Sequence, residues 1–257
     1  MTPSVSVPPP APMDLRERLA AQIAATGPLS LAQYMTICLH DPQAGYYATR
    51  PGLGAAGDFI TAPLVSQMFG ELIGLWAAAT WQAMGSPSPF RLVEMGPGDG
   101  TLMADLLRAG RTVPGFVEAA DLWLVEVSAP LKALQAERLA QASPQWADSL
   151  DAAPGGAPMI LVANELLDCL PAQQFVRTER GWAERMVGLN DAGELVFGLS
   201  GALPPNGRDG EVGAVFETSP AQAALGAQIG ARLAAEGGAA LLIDYGPAAG
   251  EAGGDTF

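Results

Sequence analysis

The stretch "VEMGPGDGTLMADLLRA" (93–109) sets Gly96, Gly98 and Gly100 between an apolar run and a helical pattern. Glycine weakens strands and helices, so glycines at alternate positions mark a turn where a ligand approaches bare backbone. A helix opening near Thr101 adds free N–H groups at its N-terminus. Two ligand classes use such a turn. The dinucleotide fingerprint needs G-x-G-x-x-G, with pyrophosphate at the helix start. Here Thr101 follows Gly96-x-Gly98-x-Gly100, and Asp99 in the loop would repel phosphate. A ligand without phosphate and with a cationic end fits better, and S-adenosylmethionine, with its ammonium and sulfonium, is such a ligand. Glu94 precedes the turn, and Glu126 ends the next predicted strand, where a carboxylate can accept from both ribose hydroxyls. On these residues alone, a tight turn with two solvated acids is the competing reading.

These residues need elements to hold them. "FRLVEMG", "DLWLVEVS", "PMILVANEL" and "AALLIDYG" read as buried strands, and the helical patterns between them imply a parallel sheet with helices on both faces. Ser128 and Ser219 stand at helix starts, Ser219 with Pro220 and Gln222 behind it. The stretches "AQQFVRTERGWAERMVGL" and "ELVFGLS" alternate like paired strands around Asn190–Gly193. Before the sheet, Leu15, Leu19 and Ile23 share one helical face, Ser30 caps a second helix, and residues 64–84 form a long apolar helix. The fold class is therefore α/β: a Rossmann-like sheet over 89–257 behind a helical N-terminal lobe over 13–88. Residues 1–12, rich in proline, read as a disordered arm.

Composition narrows the function. The 257 residues carry 27 acids against 13 bases, a formal charge of −14, which disfavours nucleic acid as a partner. Two distant cysteines, Cys38 and Cys169, and a single histidine, His40, fit no metal site, and a Ser-His-Asp triad is a poor match. His40 itself reads as a turn or surface residue. No segment has the length and apolarity of a membrane span, and no signal or transit peptide is legible, so a cytoplasmic, reduced protein is expected.

Six blocks occur in order: "GDFITAP" (57–63), "SQMFGELIGLW" (66–76), "VEMGPGDGTLMADLLRA", "ANELLDCLPAQQFV" (163–176), "ETSPA" (217–221) and "LLIDYG" (241–246). Together they make the chain similar to the MidA/NDUFAF7 family of class I S-adenosylmethionine-dependent methyltransferases. The resemblance covers residues 13–257. It implies the class I methyltransferase sheet, S-adenosylmethionine as cofactor and an arginine of a protein as acceptor. In the family's mitochondrial members that arginine lies in a core subunit of respiratory complex I. Three positions depart from the pattern: Asp99 replaces an arginine, Leu64 a glutamate and Pro247 a histidine. The sequence also stops at "GGDTF" where the family motif continues, which implies a sheet lacking its last strands, with an exposed edge and a possible homodimer.

The resemblance also directs attention to the end of the third strand, beside the transferable methyl. Glu165 and Asp168 would hold a guanidinium there, and Asn164 would contact the cofactor. If residues 164–168 begin a helix, the two acids share a face; an ordinary helix start with dipole-favoured acids is the other reading. Asp58 could close over the cofactor from a glycine-rich loop, or serve as a turn residue. Tyr46 and Tyr47 either line an acceptor channel or pack in the core. The expected cofactor contacts are thus Asp58, Glu94, Gly96, Gly98, Gly100, Thr101, Glu126 and Asn164, with Glu165 and Asp168 catalytic. A small-molecule methyltransferase and a non-catalytic assembly factor are the alternatives.

Overall fold

Local capping chemistry sets the first elements of the computed structural model, which describes residues 13–49, 61–201, 203 and 209–246. Helix α1 (Leu15–Thr26) opens on a capping box between Asp14 and Glu17 and buries Leu19 and Ile23. Strand β1 (Leu29–Ser30) leads into α2 (Leu31–His40), where Ser30 and Gln33 form a second box. Asp41 then turns the chain by accepting from the N–H groups of Gln43 and Ala44. Its carboxylate pairs with Arg18 of α1 at 2.5 Å, which lowers it to about 2. A short helix α3 (Tyr46–Thr49) follows.

The apolar run expected as one helix over 64–84 is two. Helix α4 (Ala62–Val65) stops at Ser66, which is extended (φ −150°) and whose hydroxyl caps α5 (Gln67–Ala83) by accepting from Met68 N–H. A local hydroxyl–backbone bond competes with helix continuation here.

The parallel sheet is built from β2 (Phe90–Met95), β3 (Ala120–Val125), β4 (Gln145–Ala147), β5 (Met159–Asn164) and β10 (Gly238–Ile243). Helices α6 (Thr101–Gly110), α7 (Phe116–Ala119) and α8 (Ala129–Arg138) connect its early strands, and α9 (Pro220–Glu236) precedes the last. The strand order is β10-β5-β2-β3-β4, and every neighbouring pair is parallel. Central strands β2 and β5 are largely buried on both faces because helices cover both. On one side Trp81, Leu106 and Phe116 pack with Leu92 and Ile160; on the other, Ile229 of α9 packs with Val93 and Leu161. The sequence reading of β10 as a fully buried strand is corrected: it pairs only with β5 among the described residues, and Leu242 is exposed.

Between β5 and α9 the chain forms an antiparallel sheet from β6 (Gln173–Thr178), β7 (Gly181–Leu189), β8 (Leu195–Ser200) and β9 (Val215–Thr218). Strand β7 carries β8 along one edge and β6, then β1, along the other, while β9 pairs with β6. Asn190 closes the β7–β8 turn as the sequence predicts, its side-chain oxygen accepting from Ala192 and Glu194 N–H. The pairing of β1 and β9 into this sheet was not legible. Helices α1 and α2 pack on it through Leu19, Ile23, Leu31 and Val187, whereas α5 packs on α6 over the parallel sheet. No helix among the described residues is long and apolar enough to cross a membrane.

Candidate functional site

Because β2, β3, β5 and β10 are parallel, their C-terminal ends meet along one edge of the sheet, the side where ligands bind in such folds. The glycine turn leaves β2 at this edge. Gly96 and Gly98 both take left-handed backbone, with φ +64° and +55°, which a side chain disfavours. A Cβ on Gly96 would also lie 2.9 Å from Leu166 Cδ1. Gly100 faces elsewhere: it is the N-cap of α6, and a Cβ there would meet Gln135 and Leu139 at 3.5 Å.

Asp99 does something other than repel a ligand. Its Oδ1 accepts from Thr101 N–H (3.0 Å) and Thr101 Oγ1 (2.7 Å), capping α6 in place of the glycine N-cap. Its Oδ2 pairs with Arg138 at 3.0 Å. Both oxygens are engaged, so the charge is compensated within the protein.

Glu94 lies under the turn and is 2% exposed. Its Oε2 is buried with no hydrogen-bond partner among the described residues. Burial, with Asp99 nearby, pushes its carboxyl up to about 8. Such a group is costly to leave unpaired, and a cationic ligand over the turn would complete it. Glu126, just past β3, is also buried, and burial raises its carboxyl. Its Oε1 accepts from the N–H groups of Val127 and Ser128 at 2.8 Å, so Glu126 fixes the turn that leads into α8. Ser128, the expected cap, makes no capping bond, and its hydroxyl has no partner among the described residues.

Gln135 joins these pieces and was not singled out by sequence. It is fully buried. Its Nε2 donates to Gly98 O at 2.7 Å and lies 3.3 Å from Glu126 Oε2, while Trp146 Nε1 donates to its Oε1 at 2.8 Å. The available signal was its place in the stripe Leu131–Gln135–Leu139, a polar residue at core spacing.

At the end of β5 the chain does not begin an α-helix. Glu165 takes φ +50°, left-handed and unusual for a residue with a side chain, and a short 3-10 turn follows at Leu167–Cys169. Glu165 Oε1 lies 3.4 Å from Ala62 N–H and from Asn164 Nδ2. The Cys169 thiol lies 2.9 Å from the Tyr47 hydroxyl and 3.2 Å from Asp168 Oδ1. Burial pushes the thiol up to about 12, so it is a neutral thiol, and burial likewise raises Tyr47. Burial raises the Asp168 carboxyl against the lowering contact of Cys169, and the Asp244 charge adds to the rise. His40 sits beside Tyr47, its Nε2 3.1 Å from Cys169 O.

These groups line one cleft of about 680 Å3, inside the roughly 300–1,000 Å3 range of small-molecule sites. Glu94, Gly96, Gly98, Thr101, Glu126, Asn164, Glu165 and Asp168 all line it, together with His40, Tyr47 and Cys169. Gly100 does not, and Asp58 lies outside the described residues. The donor set suits S-adenosylmethionine: an unpaired buried carboxylate for the ammonium, a second carboxylate for hydroxyl donors, and a turn too bare to exclude a ligand. Among the described residues no group of three or more His, Cys, Asp or Glu side chains could hold a metal ion.

The family described as "Putative S-adenosyl-L-methionine-dependent methyltransferase" matches residues 72–257. The chain is 37% identical to the mitochondrial protein arginine methyltransferase NDUFAF7 of Danio rerio, over 90% of this chain and 61% of that protein. It is 36% identical to the Homo sapiens protein of the same name, over 89% and 58%. The chain therefore spans about three fifths of the length of these curated relatives. Among solved structures, a protein of Burkholderia thailandensis described as a "COG1565 superfamily member and likely methyl transferase", bound to S-adenosyl-homocysteine, superposes with a TM-score of 0.76 at 32% identity, over 94% of this chain and 66% of that one. A glycine turn without phosphate chemistry, its buried carboxylates and these matches agree, and the chain belongs to this family of S-adenosyl-L-methionine-dependent methyltransferases.

Proposed function

We propose that the protein transfers a methyl group from S-adenosylmethionine to an arginine side chain of a protein substrate. The observation that carries this reading is the convergence, in one cleft, of the unpaired Glu94 carboxylate below the glycine turn and the Glu165–Asp168 acids at the end of β5. The arginine methyltransferase names of the relatives supply the acceptor class. When bound, the cofactor supplies an electrophilic methyl on a sulfonium. Glu94 accepts from the ligand ammonium, Glu126 from hydroxyl groups, and the bare turn at Gly96–Gly98 admits the ligand to the backbone. Asn164 contacts the ligand beside them, and Thr101 begins the helix that closes the turn.

On the acceptor side a guanidinium must give up a proton around the transfer step, although its pKa is above about 12. Glu165 and Asp168 hold it by charge-assisted hydrogen bonds and localise the lone pair on one nitrogen. In this reading Asp168 receives the proton. Tyr47, His40 and the neutral Cys169 thiol line the cleft next to these acids. The acceptor, by resemblance, is a respiratory complex I subunit, and the enzyme is cytoplasmic, in keeping with its free cysteines. Exposed Met68, Leu72 and Leu75 on α5 support a homodimer, which sedimentation velocity decides.

The test is a methyl-transfer assay on host proteins with radiolabelled cofactor, followed by hydrolysis and identification of the labelled amino acid. Label in methylarginine is expected; label in methyl-lysine or in a small molecule overturns the acceptor assignment. Glu165→Gln and Asp168→Asn should each lower turnover by about 100-fold or more while leaving S-adenosylhomocysteine affinity within about threefold of wild type.

A further inference from the structure

The segment from Glu165 to Cys169 carries the acceptor-side acids, yet within it the backbone bonds only to itself in one short 3-10 turn, Cys169 N–H to Leu166 O at 3.2 Å and Leu170 N–H to Leu167 O at 3.1 Å. Regular pairing ends at the last rungs of the β5–β10 ladder, where Ile243 faces Asn164 and Glu165 N–H donates to Ile243 O at 2.8 Å. The next residue, just past β10, is Asp244. Its Oδ2 accepts from Leu167 N–H at 2.6 Å and lies 3.3 Å from Asp168 N–H. Its Oδ1 accepts from Tyr245 N–H at 2.8 Å. The other face of the Leu167 residue is also taken, since Gln222 Nε2 of α9 donates to Leu167 O at 2.7 Å. Asp244 is not among the side chains lining the cleft.

We propose that Asp244 is a positioning residue for methyl transfer, which holds the Glu165–Cys169 turn from behind so that Glu165 and Asp168 face the cleft. The proposal rests on the functional reading above for what the turn is used for. A residue with a side chain stays in left-handed backbone, as Glu165 does, only where its surroundings over-determine it. A carboxylate receiving two successive N–H groups, with an amide holding the carbonyl between them, is such a restraint. Without it, the N–H groups of Leu167 and Asp168 lose their acceptor, only the bonds to Leu166 O and Leu167 O remain, and the turn relaxes toward ordinary dihedrals. The Asp168 carboxyl then leaves its place beside Cys169 and Tyr47.

Amide hydrogen exchange on the isotopically labelled full chain tests this directly. In Asp244→Ala, protection at Leu167 and Asp168 N–H should fall by at least about tenfold, while Glu165 N–H, bonded to Ile243 O, keeps its protection. Asp244→Asn retains a weaker, neutral acceptor and should lose several-fold at the same two sites. Turnover should fall in the same order, largest in the alanine variant, with S-adenosylhomocysteine affinity unchanged within about twofold. That split, with partial rescue by asparagine, separates positioning from general damage. Unchanged protection at Leu167 and Asp168 in Asp244→Ala overturns the proposal, and so does a loss of cofactor affinity as large as the loss of turnover. Should the alanine variant fail to fold, Asp244→Asn decides alone, and wild-type protection there overturns it. If wild-type protein methylates no arginine, the functional reading fails, whereas the exchange pattern still decides whether Asp244 holds the turn.

Discussion

Glu94 shows how a single side chain couples the fold to its ligand. Its carboxyl stands at about 8 in the folded protein against an ordinary value of 4.5, because burial penalises the charged form. Below about 4.5 it is protonated in both folded and unfolded chains. Between 4.5 and 8 the unfolded chain releases the proton and the folded chain keeps it, so stability falls as pH rises through this window and levels off above it. Thermal melts of the ligand-free protein should therefore decline over that range, and Glu94→Gln should flatten the decline. An ammonium placed over the turn favours the ionised form, so binding of S-adenosylhomocysteine, which carries that group, should release a proton near neutral pH. Calorimetry in buffers of different ionisation enthalpy measures this; wild type should release close to one proton, and Glu94→Gln none. Gly98 has a simpler role. Valine there meets a left-handed backbone (φ +55°) and fills ligand space. Gly98→Val should lower S-adenosylhomocysteine affinity by more than about 100-fold with the helical circular dichroism retained.

Among the elements, α8 does more than connect two strands. Through Gln135 it reaches back 37 residues to Gly98 O, and it also takes the Trp146 indole N–H and touches Glu126. The glycine turn and the Glu126 carboxylate are thus tied to one buried amide. Gln135→Leu keeps the volume and removes all three contacts. It should lower S-adenosylhomocysteine affinity by about tenfold, and lower folding stability by about 1–3 kcal/mol because the buried indole N–H and Gly98 carbonyl lose their partner. Calorimetric titration and urea unfolding check the two effects separately. Equal affinity in the variant would mean that the turn holds its shape without α8. The α5 break at Ser66 belongs to the same scale: one hydroxyl–backbone bond turns an apolar run into two helices, and the shorter one places Pro63 and Leu64 at the cleft.

The molecule as a whole is acidic, with a formal charge of −14. An arginine-bearing acceptor is drawn to such a surface, and the attraction is screened by salt. Raising ionic strength from about 0.01 M to about 0.15 M shortens the Debye length from about 30 Å to about 8 Å. KM for a basic acceptor peptide should rise several-fold over that range, while S-adenosylhomocysteine affinity, which rests on buried groups, should change little. Steady-state kinetics beside calorimetry shows the contrast; a salt-independent KM would argue that contacts in the cleft, and not the surface field, gather the acceptor. The surface also carries apolar residues on β8, Phe197 and Leu199, on the sheet that supports α1 and α2.

What the sequence by itself determined was local. The strand–turn–helix of β2, Gly96–Gly100 and α6, the acids at strand ends, the caps at Ser30 and Ser219 and the Asn190 turn all depend on residues within a few positions of one another. Hydropathy period and turn chemistry encode these directly. Even local reading has limits: Ser128 occupies the cap position but makes no capping bond, while Glu126 accepts from the N–H groups of Val127 and Ser128 ahead of the helix. The tertiary structure alone decided the joins: Gln135 to Gly98 across 37 residues, Leu167 to Asp244 across 77 and Cys169 to Tyr47 across 122. It also decided that no residue of β10 is buried as those of β5 are, and that β1 completes a sheet whose other strands lie more than a hundred residues later. Such contacts follow from strand order and from which helix face meets which sheet. Those depend on the summed packing of the whole chain, and no short window of sequence contains it.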